Sequence, residues 1–312
     1  MVREGMTPWS RIICLAFLLV GACYSDIGRP KPLIFYVVGD WGRMGSPNQK
    51  VVAFQMNEWA KNEDPRFILS MGDNFYDVGV KNLDDPHWKA SFEQAYNGDR
   101  IIRKPWYVAL GNHDYNGQPD VEIAYSKVSD RWKLPSRYYS RIETGEDGSR
   151  VRLTVIDTSP FEKSAYQDPL MKDKVASQDT LRQKKWLDSL TSLTDTDWKI
   201  VVGHHHIYTG GARKNDPNTV RASLEPLFIK NNVDVYFCGH EHDLQHLKSS
   251  KGVTHYLLSG AGSDLRPTGM ITESQFAASI QGFMSVTVTK KSLVINVVDY
   301  MGNILHTATV TH

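Results

Sequence analysis

The stretch LIFYVVGDWG, residues 33–42, contains the sequence pattern that decides the fold: an apolar run, then a glycine, then a polar side chain. Four later stretches repeat it, namely RFILSMGDNFY (66–76), PWYVALGNHD (105–114), WKIVVGHHH (198–206) and VDVYFCGHEH (233–242). Short runs of β-branched and aromatic residues predict buried strands, and the glycine after each run permits a sharp turn. Because the carboxyl ends of parallel strands converge at one edge of a sheet, the five polar blocks are predicted to share one pocket.

Helices are predicted between these strands. Three segments place apolar residues on one helix face: Val52, Met56 and Trp59; Trp186, Leu190 and Leu193; and Val220, Leu224, Leu227 and Phe228. Pro226 predicts that the last helix is short at its start or bent. Residues 116–150 show no clean periodicity, whereas MSVTVT, LVINVV and ILHTATV near the C-terminus predict an antiparallel meander. The pattern indicates an α/β fold with two sheets inside and helices outside.

Length and composition predict one large globular domain. The chain has 312 residues, of which 41% are hydrophobic, and no low-complexity linker divides it. Its 36 basic residues nearly balance 35 acidic ones, so the clustered positive charge typical of a nucleic-acid-binding protein is not expected.

The N-terminus has the layout of a secretory signal peptide over residues 1–22. Arg3 and Arg11 precede the apolar run IICLAFLLV, and the small residues of VGAC follow it. The run is shorter than the roughly 20 residues of a membrane span. Val20 to Cys23 also resemble a lipobox, which would make Cys23 a lipid-bearing residue. We expect a secreted, periplasmic or lysosomal-type location, with a lipid anchor at Cys23 as the alternative.

Seven side chains in the five blocks are candidate metal ligands. An aspartate beside a glycine is by itself ordinary turn chemistry, and a single histidine at a strand end is more often a hydrogen-bonding residue than a ligand. Their joint occurrence predicts a site for two metal ions. The candidates are Asp40, Asp73, Tyr76, Asn112, His204, His240 and His242.

The order of the blocks resembles that of the binuclear metallophosphoesterases, and Tyr76 in GDNFY narrows the resemblance to the purple acid phosphatases of the small, tartrate-resistant type. The resemblance extends from about Leu33 to Pro267 and includes LLSGAGS. It implies one metallophosphoesterase domain over residues 33–312, a four-layer sandwich of two mixed sheets flanked by helices. It also implies two ligand sets that share Asp73: Asp40, Asp73, Tyr76 and His242 for the first metal, and Asp73, Asn112, His204 and His240 for the second.

The resemblance further implies an acid phosphatase. Two carboxylates and a phenolate favour Fe(III) in the first site, and the second suits Fe(II), Zn(II) or Mn(II). The expected reaction is attack of a metal-held hydroxide on small-molecule or protein phosphomonoesters by a monomeric enzyme. His113 is the candidate acid, oriented by Asp114, although a purely positioning role for His113 is the alternative. Asn112, His113 and His206 are expected to contact substrate.

The sequence departs from the family pattern at one position, and it leaves two other functions open. Relatives usually carry another histidine several residues after the GH block, where this chain reads IYTGGARKND; the candidates to replace it are His205, His206, Arg213 and Lys214. A related phosphodiesterase or nucleotide pyrophosphatase shares most ligands, but Tyr76 counts against it. A non-catalytic scaffold is the third possibility, and the complete ligand set counts against that.

Overall fold

A computed structural model describes residues 30–312 of the chain. The predicted signal peptide and Cys23 lie outside the described residues. Within residues 30–312, no helix has the length and apolar character needed to cross a membrane.

The strands follow the predicted runs closely. They are β1 (Leu33–Val38), β2 (Phe67–Ser70), β3 (Trp106–Val108), β4 (Trp132–Lys133), β5 (Tyr139–Thr144), β6 (Arg150–Val155), β7 (Trp198–Val202), β8 (Val235–Cys238), β9 (Leu244–Lys248), β10 (His255–Ser259), β11 (Ser274–Ala278), β12 (Gly282–Val288), β13 (Ser292–Asp299) and β14 (Ile304–Thr311). The predicted C-terminal meander is confirmed as β12 to β14, which pair antiparallel in sequence order.

The helices lie between and beside the strands. They are α1 (Pro47–Glu63), α2 (Asn112–Asn116), α3 (Pro119–Tyr125), α4 (Lys172–Ala176), α5 (Thr180–Thr191) and α6 (Thr219–Lys230), with a π-helix at Trp88–Glu93 and 3-10 turns at Ser159–Phe161 and Lys163–Tyr166. Ser46 caps α1 by accepting from the amide of Gln49, and Pro47 occupies the first turn, where a missing amide hydrogen costs nothing.

The strands form two mixed sheets of seven strands each. Sheet A has the order β14-β13-β12-β1-β2-β3-β4, and sheet B has the order β11-β9-β10-β8-β7-β6-β5. At the centre of sheet A, β1, β2 and β3 are parallel; in sheet B, β6, β7, β8 and β10 are parallel. The strands that precede the five polar blocks therefore end at the same edge of their sheets.

Alternation along the strands builds the layers. In β1, Phe35 and Val37 pack in the core between the sheets, while Tyr36 and Val38 face the helices that cover sheet A. In β8, Phe237 faces the same central core, and its neighbours in sequence face the helices that cover sheet B. The predicted four-layer α/β sandwich is confirmed.

The prediction for the buried face of α5 is wrong in part. Trp186 is half-buried and packs against the core, as predicted, but the fully buried residues are Gln183, Leu187 and Thr191. Gln183 is buried because its amide exchanges hydrogen bonds with the backbone of Asp157, and Thr191 is buried because its hydroxyl donates to the carbonyl of Leu187. The predicted Leu193 lies beyond the helix end and is exposed. On the buried face of α5, hydrogen-bonded polar residues therefore stand where apolar residues were predicted.

Helix α6 starts where its cap places it, so the predicted shortening at its start is wrong. The Asn218 side chain accepts from the amide of Arg221, and the helix then continues through Pro226 to Lys230. The proline ring is exposed, so it disturbs no packing. Its missing amide hydrogen removes one helical hydrogen bond. Val220, as predicted, is buried.

Candidate metal centre

The turns after the strands bring the polar blocks together. Asp40, Asp73 and His240 each have a positive φ, at 58°, 50° and 71°. This left-handed conformation is uncommon for residues with a side chain and is typical of functional sites. The glycines allow close approach, because a Cβ on Gly111 would lie 2.2 Å from Oδ1 of Asp73 and a Cβ on Gly239 would lie 2.3 Å from Oδ2 of Asp40.

The first cluster surrounds the phenol oxygen of Tyr76. This oxygen lies 2.9 Å from Oδ1 of Asp40, 2.9 Å from Oδ2 of Asp73 and 3.1 Å from Nε2 of His242. All four side chains are buried, with Asp40 fully so. These are the four residues predicted for the first metal.

The second cluster surrounds Nε2 of His204. That nitrogen lies 3.1 Å from Oδ1 of Asn112, 3.1 Å from Nδ1 of His240 and 3.4 Å from Oδ1 of Asp73. Asp73 thus turns one carboxylate oxygen to each cluster, which is the arrangement that a bridging ligand needs. His240 and His242 face different clusters because the backbone turns at His240, where φ is 71°.

The spacing and charge of these atoms fit metal ions. Adjacent ligands of an octahedral ion, held at about 2.1 Å, stand about 3 Å apart, which is the separation seen in both clusters. One phenolic proton cannot satisfy two carboxylates at once. Burial, followed by the charges of Asp40 and Asp73, raises the pKa of Tyr76 well above its usual value, so a phenolate forms there only beside a cation.

The pKa values of the three histidines are consistent with metal binding. Burial lowers the pKa of His242 to about 3 and that of His240 well below its ordinary value, which leaves each imidazole a lone pair for a metal. Burial opposes charging of His204, but the carboxylate of Asp73 raises the pKa of His204 to about 9. A metal ion placed between those two groups would replace that proton.

Backbone contacts orient the ligands. Nδ1 of His204 lies 2.8 Å from the carbonyl oxygen of Met71, which fixes the proton on Nδ1 and turns Nε2 toward the second cluster. The amide of His240 donates to Oδ2 of Asp40, and the amide of His113 donates to Oδ1 of Asp73. Arg43 covers the first cluster, with its guanidinium carbon 3.8 Å from the centre of the Tyr76 ring.

Asp114 does not orient His113, so that expectation is wrong. Its buried carboxylate accepts from the amides of Gly111, Asn74 and Phe75, and from the side chain of Asn74. A carboxylate with this many backbone donors holds the GDNFY and GNHD loops against one another. Asp114 is structural support for the ligand loops.

His113 lies at the rim of the first cluster. Its Nδ1 is 2.5 Å from the carbonyl oxygen of Asp77, to which it donates, and its Nε2 is 3.9 Å from Oδ2 of Asp73. The His113 ring packs on Tyr76 with 4.4 Å between ring centroids. A quarter of the His113 side chain is exposed, and Nε2 is the ring nitrogen without a hydrogen bond to the described residues.

A cavity of about 580 Å³ opens beside the second cluster. Asn112, His205, His206, Arg213 and His240 line it on the metal side. His206 is buried, and its Nδ1 has no hydrogen-bond partner among the described residues.

Contacts and position weigh against two of the four candidates for the missing histidine. The Arg213 guanidinium is 3.2 Å from Oε1 of Glu241, so its charge is paired. Lys214 is exposed and does not line the cavity. His205 and His206 are the remaining candidates.

Sequence reasoning missed a sixth strand-end block, VRLTVIDT at residues 151–158. Strand β6 ends at Val155, and Thr158 then reaches the second cluster, where its hydroxyl lies 2.8 Å from Nδ1 of His205. The apolar run was visible in the sequence, but no glycine or histidine follows it.

A two-sheet sandwich with two ligand clusters sharing one carboxylate defines a metallophosphoesterase. Residues 33–244 match the calcineurin-like phosphoesterase family. The chain is 36% identical over 294 residues to purple acid phosphatase 4 of Arabidopsis thaliana, covering 89% of this chain and 84% of the relative. It is 33% identical over 276 residues to tartrate-resistant acid phosphatase type 5 of Homo sapiens, covering 84% and 82%. The chain belongs to the purple acid phosphatases, a family of phosphoester hydrolases.

The fold is also shared with solved structures. One, described as GAP50, the anchor in the inner membrane complex of Plasmodium, superposes with a TM-score of 0.76 at 24% identity, covering 90% of this chain and 89% of that one. This similarity concerns the fold alone.

Proposed function

We propose that the chain hydrolyses phosphate monoesters in acid at a binuclear Fe(III)–M(II) centre, where M is Fe, Zn or Mn. The observation that carries the proposal is the position of the Tyr76 phenol oxygen, within 3.1 Å of Asp40, Asp73 and His242. When bound, the metal pair supplies Lewis acidity and activates water for attack on phosphorus. The remaining steps belong to side chains of this chain.

The ligand charges support a trivalent ion in the first cluster. Asp40, Asp73 and the Tyr76 phenolate are hard anionic donors, and they suit Fe(III). Beyond the shared carboxylate, the second cluster adds only the amide of Asn112 and two neutral imidazoles, which suits a divalent ion. The asymmetry distinguishes this site from one built for two identical divalent ions.

His113 is the proposed proton donor to the departing alcohol. Because its Nδ1 donates to the carbonyl of Asp77, the protonated ring presents Nε2–H at the open rim of the site. Asn112 uses its side-chain oxygen in the second cluster and keeps its NH2 group to donate to a phosphoryl oxygen. His206 lines the cavity wall and is the proposed further contact to the substrate.

Two alternative functions have less support than the phosphomonoesterase. A phosphodiesterase would need no phenolate, and Tyr76 lies at the centre of the first cluster. A non-catalytic scaffold would have no reason to retain seven ligands in two complete sets, five of them buried, because buried charges without a cation destabilise the fold.

Metal analysis combined with a rate comparison tests the proposal. We expect about one iron and one divalent ion per chain, and a faster rate on monoesters than on diesters, greatest in acid. A protein with two identical divalent ions and a preference for diesters would support the phosphodiesterase. Fully loaded protein without activity on either would support the scaffold.

The proposed enzyme acts outside the cytosol as a monomer on small-molecule or protein phosphomonoesters. Residues 1–22 carry the signal-like pattern, and Cys23 is the possible lipid site. Mass spectrometry of the mature N-terminus tests this, because cleavage without a lipid supports secretion and a lipid on Cys23 supports anchoring. Retention of residues 1–22 would contradict both.

A further inference from the structure

His205 is a buried histidine next to the second cluster. It is 4% exposed, and its ring centroid lies 4.5 Å from that of His240 and 4.9 Å from that of His204. One ring nitrogen from each of these three histidines lies within 4.8 Å of the others. Two roles fit this proximity: an additional metal ligand, or a hydrogen-bond donor to whatever the metals bind.

The hydroxyl of Thr158 decides between these roles. Its oxygen accepts from the backbone amide of His204 at 3.3 Å and from that of His205 at 3.1 Å. A hydroxyl oxygen has two lone pairs, so these two amides occupy both of them. The remaining contact, 2.8 Å to Nδ1 of His205, must then use the hydroxyl hydrogen. Thr158 therefore donates to Nδ1.

This assignment fixes the tautomer of His205. With Nδ1 as an acceptor, the proton of the neutral ring is on Nε2. A nitrogen that carries a proton is a donor and has no lone pair for a metal. The ring lines the cavity together with Asn112 and His240 of the second cluster, and a phosphate bound to that cluster would lie in the same cavity.

We propose that His205 donates a hydrogen bond from Nε2 to a phosphoryl oxygen of the bound monoester, and that Thr158 is the positioning residue that holds it in this tautomer. The assignment rests on the proposed phosphomonoesterase function for its substrate. The proposed hydrogen bond from His205 does not depend on which metals are bound. Inorganic phosphate is the probe for this hydrogen bond, because it has the same oxygens as the substrate.

The first test compares Thr158→Val with Thr158→Ser in metal-loaded protein. Valine has nearly the shape of threonine and no hydroxyl, so His205 is free to reverse its tautomer. One hydrogen bond to a charged oxygen corresponds to about a tenfold change in binding. We expect Thr158→Val and His205→Ala each to raise the KM for a monoester and the Kd for phosphate about tenfold, with kcat changed far less.

Thr158→Ser restores the hydroxyl and should restore phosphate binding. Thr191→Val is the matched control, because it removes a buried threonine hydroxyl inside α5, and it should leave KM and Kd unchanged. If His205→Ala lowers the metal content, His205 is a ligand and the proposal is overturned. Unchanged phosphate binding in Thr158→Val overturns it as well.

Nitrogen-15 NMR of the histidine rings gives a second measurement that is independent of catalysis. The His205 signals should show a proton on Nε2 in the native protein and loss of that preference in Thr158→Val. A proton on Nδ1 in the native protein overturns the proposal. If the loaded protein lacks monoesterase activity, the proposed function fails, while calorimetric phosphate binding and the NMR result still decide the role of His205.

Discussion

Stability in acid should depend on three histidines that join the two sheets. His246 on β9 has its Nδ1 2.9 Å from Nε2 of His306 on β14, and its Nε2 2.9 Å from Nδ1 of His255 on β10. Strand β14 belongs to sheet A, whereas β9 and β10 belong to sheet B. His246 is 5% exposed, and its burial, followed by His255, His306 and Lys248, lowers its pKa to about 3.

The sign of the effect follows from the two protonation states. In the unfolded chain a histidine has a pKa of about 6.5, so the unfolded state binds a proton in mild acid while folded His246 stays neutral. Its contribution to stability is therefore complete above about pH 6.5 and is lost as the pH falls toward 3. With a folded pKa of about 3, the loss at about pH 5 is about 2 kcal/mol for this residue.

Urea unfolding of the wild type and of His246→Gln, each at about pH 7 and about pH 5, measures this loss. Glutamine cannot titrate and keeps polar atoms for hydrogen bonding. Carboxylates and histidines that do not contact His246 titrate equally in both proteins, so their effect cancels in the comparison. Between the two pH values, the unfolding free energy of the wild type should fall by about 2 kcal/mol more than that of the variant. Equal losses in the two proteins would refute the reasoning.

Three substitutions test the site. His113→Ala should lower the rate on alkyl phosphates about 100-fold and the rate on p-nitrophenyl phosphate far less, because a good leaving group departs without a proton; equal losses would exclude His113 as the acid. Asp73→Ala removes the shared carboxylate, so elemental analysis should show both ions lost, and loss of one alone would exclude a bridge. Asp114→Ala leaves three buried backbone amides without their acceptor. It should lower the unfolding free energy by about 3 kcal/mol or more, and a loss below about 1 kcal/mol would contradict its supporting role.

The strands and the seven candidate ligands were accessible from the sequence for a physical reason. An apolar run followed by glycine and a polar residue specifies both a buried strand and the turn that ends it. Parallel strands then bring such turns together, so Asp40 and His242 meet although they are 202 positions apart in the sequence.

The failures have a common cause, which is that buried polar residues are stabilised by partners distant in sequence. Gln183 faces the core because the backbone of Asp157 binds its amide. Asp114 is next to His113 in sequence, yet its carboxylate turns to the amides of the GDNFY loop. Thr158 follows a strand without any marker residue, and only the fold brings it to His205. Local patterns do not contain these pairings.

The visible absorption of the iron-loaded protein tests the central claim, which is that Tyr76 binds Fe(III) as a phenolate. The wild type should show a charge-transfer band in the visible range, and Tyr76→Phe should lose the band while it retains the divalent ion of the second cluster. A colourless wild-type protein with iron bound, or a band that persists in Tyr76→Phe, would contradict the assignment of this site.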